Sequence, residues 1–79
     1  MHQLLENLWN VTDDLLYRVR IYDRNLAYSD EIVKMDELHR KIDSLRVSDD
    51  ERLLAFGVDK LKEMRSRLLT MMEDLLFTA

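Results

Sequence analysis

The fold of this chain is decided by residues 48–77, which read SDDERLLAFGVDKLKEMRSRLLTMMEDLLF. Apolar side chains recur there at heptad spacing, which places them along one side of a helix. The members of this stripe are Leu54, Leu61, Met64, Leu68, Met71 and Leu75. Ser48 and Glu51 have the spacing of a capping box, a pair of reciprocal side-chain bonds to backbone amides that opens a helix. The pattern therefore predicts a long helix over about 49–77.

The same helical period runs through the residues before this stretch. It is carried over about 3–28 by Leu4, Leu8, Val11, Leu15, Val19, Tyr22 and Leu26, and over about 30–46 by Met35, Leu38, Ile42 and Leu45. Ser29 separates the two segments as a weaker helix start, with a kinked continuous helix as the alternative. We therefore expect an all-α fold of three helices, long, short and long, in a hairpin-like bundle that makes residues 1–79 a single domain.

Composition excludes several classes of protein. The chain has 79 residues, 47% hydrophobic and 35% charged, with a net charge of −4 and neither cysteine nor proline. This apolar fraction is too high for a disordered chain. Without cysteine there is no disulfide, Cys-based zinc site or catalytic thiol, and the longest apolar run is far shorter than the ~20 residues of a membrane span. We expect a cytoplasmic protein with no targeting peptide and no membrane partner.

The apolar residues occupy more helix faces than a domain of this size usually buries. We therefore expect a homo-oligomer, most simply a two-fold dimer of bundled helices. Its predicted interface consists of Leu5, Trp9, Leu16, Leu61, Met64, Leu68, Met71 and Leu75. Gly57, the single glycine, stands at a core position of the third helix and is interpreted either as a close helix crossing or as a hinge.

Two further apolar faces are candidate partner-binding surfaces. They are formed by Tyr17, Ile21 and Tyr28 on the first helix and by Leu69, Met72 and Leu76 on the third. Methionine is typical of adaptable binding surfaces, whereas scattered surface residues and core packing are the alternatives. We expect a small non-enzymatic protein-binding module, a regulator, adaptor or chaperone; a purely structural subunit is an alternative.

Candidate catalytic and metal-binding groups are few. Asp36, His39 and Asp43 share one side of the second helix, but a structural zinc site takes four ligands and a di-iron bundle takes paired Glu-x-x-His motifs. We therefore interpret this trio as a solvated edge. Sequential acid pairs such as Asp13-Asp14 point to different sides of a helix and are typical of helix starts and solvated faces. The sequence predicts no catalytic residue, metal or cofactor.

Arginines cluster in the first and third helices, but a net charge of −4 argues against direct binding to nucleic acid. Acids lie near these arginines in sequence and predict ion pairs within one helix. The predicted pairs are Asp14 with Arg18, Asp23 with Arg20, and Asp59 and Glu63 with Arg67. A transcription modulator that acts by binding a DNA-binding protein is an alternative function.

The long, short, long order of helices resembles the layout of the small intertwined chorismate mutases. Members of that family bind a dianionic substrate through arginines, a lysine and polar residues from both chains. The resemblance implies such a role for Arg18, Arg24, Lys34, Arg40 and Arg52. It covers architecture and no motif, because the family's first-helix arginine has no counterpart near residues 4–8. An enzyme of this layout is the remaining alternative.

Overall fold

The computed structural model describes residues 1–77 and contains three α-helices. Helix α1 spans His2–Tyr22, α2 spans Ser29–Asp43 and α3 spans Glu51–Phe77. A short 3-10 helix, Ser44–Val47, continues α2, and the described part of the chain has no strand. The prediction of an all-α chain with three helices that pack together is confirmed.

Helix α1 ends at Tyr22 and not near residue 28, so the alternative of a continuous first and second helix is wrong. The reason is Asp23, which is 3% exposed and whose carboxylate accepts hydrogen bonds from the amides of Ala27 at 2.9 Å and Tyr28 at 2.8 Å. These side-chain bonds to backbone turn the chain away from the helix path. Leu26 lies in this turn with a positive φ of 56°, a conformation that leucine rarely adopts.

Helix α3 begins without the predicted capping box. The Ser48 hydroxyl accepts the Asp50 amide at 3.1 Å, and the Asp50 carboxylate accepts the Arg52 amide at 2.9 Å. The Ser48 amide is already bonded within the 3-10 helix, so Glu51 cannot use it. Asp50 therefore caps α3. Ser29 makes no capping bond either, because α2 begins at this residue itself.

Helices α1 and α3 lie side by side and run in the same direction. Leu5, near the start of α1, packs against Gly57 near the start of α3. Tyr22, at the end of α1, lines a cleft together with Leu75 near the end of α3. Two parallel neighbours need a connecting element that returns along the bundle, and α2 supplies it.

Helix α2 runs antiparallel to α1 and covers one side of the α1–α3 pair. Its contacts with α1 run in reverse order, since Arg20 reaches Asp36 at 3.3 Å while Glu6 reaches Arg46, beyond the end of α2, at 3.6 Å. At 1.5 Å per residue α2 is about 22 Å long, whereas α3 is about 40 Å long. Within residues 1–77, the opposite side of the α1–α3 pair has no helix over it.

The core lies between the three helices. Its buried apolar members are Leu5, Leu8, Leu16, Val19, Ile32, Ile42, Leu54, Val58, Leu61, Met64, Leu68 and Met71. Thr12 is buried among them, since its hydroxyl donates to the Leu8 carbonyl at 2.9 Å. The predicted α3 stripe is buried or partly buried, whereas on α1 the predicted stripe is about half-exposed at Leu4, Val11 and Tyr22. The buried side of α1 includes Thr12, which is polar and so does not belong to the apolar pattern of the sequence.

Gly57 marks the closest approach of α1 and α3. A Cβ atom there would lie 2.8 Å from Leu5 Cδ1, 3.3 Å from Leu45 Cδ1 and 3.4 Å from Ile42 Cγ2. Helix α3 continues through this position without a break. The structure therefore supports the close-packing interpretation and shows no hinge at Gly57.

Replacing Gly57 with alanine should lower the free energy of unfolding by about 1 kcal/mol, as overpacking of a filled core does. The new methyl group has to displace Leu5, which is fully buried, and this outweighs the gain in helix propensity. Urea unfolding measures the change, with Ser66→Ala on the exposed side of α3 as control. A more stable Gly57→Ala variant would contradict the close packing.

Replacing Asp23 with alanine should lower the free energy of unfolding by about 2 kcal/mol, because two amides lose their acceptor. Asp23→Asn keeps one acceptor oxygen and should lose about half as much. Asp13→Ala, at an exposed position of α1, is the control and should change stability by less than about 0.5 kcal/mol. Equal effects at both positions in thermal unfolding would rule out this role for Asp23.

Candidate protein-binding face

One long side of the molecule, formed by α1 and α3, exposes a strip of large apolar side chains. Leu4, Val11 and Tyr22 come from α1, and Leu69 and Leu76 come from α3. Each is 46–52% exposed. We call these five residues the open face.

The helical period places the open face away from α2. Helix α1 meets α2 through Trp9 and Arg20, and α3 meets α2 through Arg67. At about 100° per residue, the open-face residues of each helix lie roughly 140–180° round from these contacts. On each helix, the core residues lie between the α2 contacts and the open-face residues. One flank of the helix is therefore covered by α2, and the other flank is exposed.

Basic side chains lie beside the middle of the open face. Lys62, Arg65 and Leu69 are spaced i, i+3 and i+7 along α3 and so share one side of it. Within residues 1–77, neither Lys62 nor Arg65 has an ion-pair partner. On α1, Arg18 pairs with Asp14 at 2.9 Å, as the sequence predicts. Lys62 and Arg65 therefore place two positive charges, unpaired within residues 1–77, beside the open face, although the chain as a whole carries a net charge of −4.

The predicted partner-binding residues have different positions in the structure. Leu69 and Leu76 belong to the open face, whereas Met72 is partly buried and packs against the core. Tyr17 and Ile21 are exposed on the solvent side of α1, away from the core. The sequence therefore found the α3 half of the open face. It missed the α1 half because Leu4, Val11 and Tyr22 belong to the same helical stripe as the buried Leu8 and Val19.

The predicted dimer-interface residues lie mostly inside the single chain. Six of them are buried in its core: Leu5, Leu16, Leu61, Met64, Leu68 and Met71. Trp9 and Leu75 are partly buried and pack against that core. The packing of α1, α2 and α3 already covers these side chains within one chain, and their place in an interface between copies stays a prediction.

Tyr28 is engaged within the chain. Its hydroxyl donates to the Asp74 carboxylate, and the Arg67 guanidinium lies 5.6 Å from its ring centre. Arg67 in turn donates to both carboxylate oxygens of Glu31, at 2.6 and 2.9 Å. The bond to Asp74 raises the pKa of Tyr28, while the Arg67 bond lowers the pKa of Glu31 and raises that of Arg67. This cluster ties α2 to α3.

Two predicted ion pairs within a helix are replaced by pairs between helices. Arg20 bonds Asp36 of α2, since the carboxylate of Asp23 is occupied by backbone amides. Arg67 bonds Glu31 of α2 and not the acids of its own helix. Sequence spacing identifies neighbours on one helix only, so neither partner could be found from it.

His39 is buried, and the prediction of a solvated edge is wrong for it. The side chain is 2% exposed, and its ring stacks on the Trp9 indole with centroids 4.0 Å apart. His39 Nε2 donates to the Trp9 carbonyl, and Trp9 Nε1 donates to the His39 carbonyl, both at 2.9 Å. Asp36 and Asp43 are each paired with arginines. Across residues 1–77 no three His, Asp or Glu side chains are grouped to hold a metal ion.

Comparison with protein-family models, curated proteins and solved structures finds no match to this chain. The resemblance to chorismate mutases therefore rests on helix order alone. The basic residues that it singles out are all exposed: Arg18, Arg24, Lys34, Arg40 and Arg52. Among residues 1–77, no helix has the length and apolar content needed to cross a membrane. The candidate functional site is therefore argued from the exposed apolar side chains of the open face alone.

Replacing Glu31 with glutamine should lower stability at neutral pH by up to about 1 kcal/mol, since the pair with Arg67 is partly exposed. Arg67 holds the pKa of Glu31 below its ordinary value of 4.5. The carboxylate therefore stabilises the folded state above that value, and this contribution disappears as the pH falls through the lowered pKa.

Urea unfolding near pH 7 and near pH 3 measures this dependence. The difference between the original chain and Glu31→Gln should shrink at the lower pH, while Glu37→Gln, an exposed control on α2, should have little effect at either. A difference of the same size at both pH values would show that Glu31 acts through packing and not through its charge.

Proposed function

We propose that this chain is a non-enzymatic protein-binding module, a regulator, adaptor or chaperone whose open face receives an amphipathic helix of a partner protein. The observation that carries the proposal is the strip of five half-exposed apolar side chains along α1 and α3. Large apolar patches on a small protein commonly mark interaction sites. A helix laid on this strip would take the place of the fourth helix of a bundle.

The dimensions of the open face suit such a partner. From Leu4 to Tyr22, α1 advances by roughly 27 Å, the length of about five helical turns. The described part of the chain measures 43 × 18 × 15 Å. One long side of it is therefore comparable with the area of about 800 Å² that each partner buries in a specific interface.

The homodimer expected from the sequence is the competing occupant of the same face. A second copy would bring its own α1 and α3 to the strip around a two-fold axis. The small size of the chain favours this assembly, because domains of this length bury a modest fraction of their surface. Light scattering of the pure chain distinguishes a dimer from a monomer that awaits a different partner.

Replacing both Leu69 and Leu76 with aspartate should weaken partner binding by about a hundredfold or more, since burial of the exposed half of each leucine contributes roughly 1 kcal/mol and burial of an unpaired carboxylate in its place is unfavourable. The fold should persist because both side chains are about half-exposed. Tyr17→Asp with Ile21→Asp is the matched control, an equal change on the solvent side of α1. Capture of proteins from lysate, read by mass spectrometry, compares the variants, and circular dichroism checks their helix content.

The open-face variant should lose the captured proteins, and the control should retain them. Retention of the same proteins by the open-face variant would show that this surface is not the binding site. Loss with the Tyr17 and Ile21 variant alone would assign binding to the opposite side of α1.

A further inference from the structure

We infer that the helix bound at the open face carries acidic residues beside its apolar stripe, and that Lys62 and Arg65 select it. This inference rests on the proposed function of the open face. Its subject is the chemistry of the partner, which the apolar strip by itself leaves open.

Lys62 and Arg65 lie where they can contact a helix that is bound at the open face. Both lie on the side of α3 that carries Leu69, with Arg65 one turn and Lys62 two turns before it. The other basic residues nearby on α3, Lys60 and Arg67, are paired with Glu63 and Glu31. Lys62 and Arg65 have no such partner within residues 1–77, so their charges are available to a bound carboxylate.

Arg65 is the stronger of the two determinants. Arg65 is half-buried, whereas Lys62 is exposed. A helix that covers the open face would therefore leave the Arg65 guanidinium with less water around it than the Lys62 ammonium. Covering a charge without pairing it is unfavourable, whereas a carboxylate on the incoming helix can accept two parallel bonds from the guanidinium. An acidic helix can therefore offset the free-energy cost of desolvating Arg65 by pairing with it, whereas a neutral or basic helix cannot.

The position of Arg65 disfavours a second copy of this chain as occupant. Leu5 lies level with Gly57, so Arg65, eight residues further along α3, lies level with Asp13 of α1. This is near the middle of the open face. A two-fold axis through that middle would bring the Arg65 side chains of both copies together, and like charges across an interface repel.

Two synthetic helical peptides of about 20 residues test the inference, a length that covers the face. Both carry leucines in one amphipathic stripe; one has glutamates beside the stripe and the other has lysines at the same positions. Titration of the full chain by fluorescence anisotropy should show about tenfold tighter binding of the acidic peptide at low salt. The preference should fade at high salt, where the Debye length falls to about 3 Å.

Lys62→Glu with Arg65→Glu should reverse the preference between the peptides. Lys34→Glu with Lys41→Glu makes the same change in net charge on exposed residues of α2, neither of which has an ion-pair partner within residues 1–77. This control should keep the acidic preference, because its charges lie far from the open face. Circular dichroism confirms that each variant keeps its helices.

Each other outcome has a distinct meaning. Equal binding of the two peptides overturns the acidic partner and leaves the proposed function in place. Failure of both peptides to bind overturns the proposed function. A dimer in sedimentation that Leu69→Asp with Leu76→Asp dissociates makes a second copy the occupant and overturns the acidic partner as well.

Discussion

The parallel contact of α1 and α3 at Leu5 and Gly57 is the constraint on which the rest of the molecule depends. The missing side chain at Gly57 lets the two long helices approach closely enough for Leu5, Leu45 and Ile42 to meet over it. Parallel helices cannot be joined by a tight turn, so the chain has to return along the pair before α3 begins. Helix α2 makes that return and covers one side of the pair, which leaves the other side open.

Polar contacts decide which side α2 covers. Asp23 binds the backbone of the connection and fixes where α2 starts. The reciprocal bonds between Trp9 and His39 hold α2 against α1, and the pair of Arg67 with Glu31 holds it against α3. Apolar burial alone would be satisfied by several arrangements of three amphipathic helices, whereas directional bonds of this kind select one of them.

The open face follows from this asymmetry. Because α2 lies on one flank, Leu4 and Tyr22 of α1 and Leu69 of α3 remain half-exposed on the other. The two basic residues beside them, Lys62 and Arg65, lie in an otherwise acidic chain. An apolar strip alone could bind many amphipathic helices. The positive charges next to it would favour those that carry acidic residues beside their apolar stripe. In the function we propose, affinity comes from the apolar strip and selectivity from the two basic side chains beside it.

The sequence by itself determined the helical period, the order of long, short and long helices, and the α3 side of the candidate site at Leu69 and Leu76. Only the tertiary structure decided that Thr12 is buried while Val11 is exposed, and that His39 is an interior residue. The physical reason is that a helical period shows which residues share a side of one helix. Which side meets a neighbour depends on contacts distant in sequence, such as the stacking of His39 on Trp9.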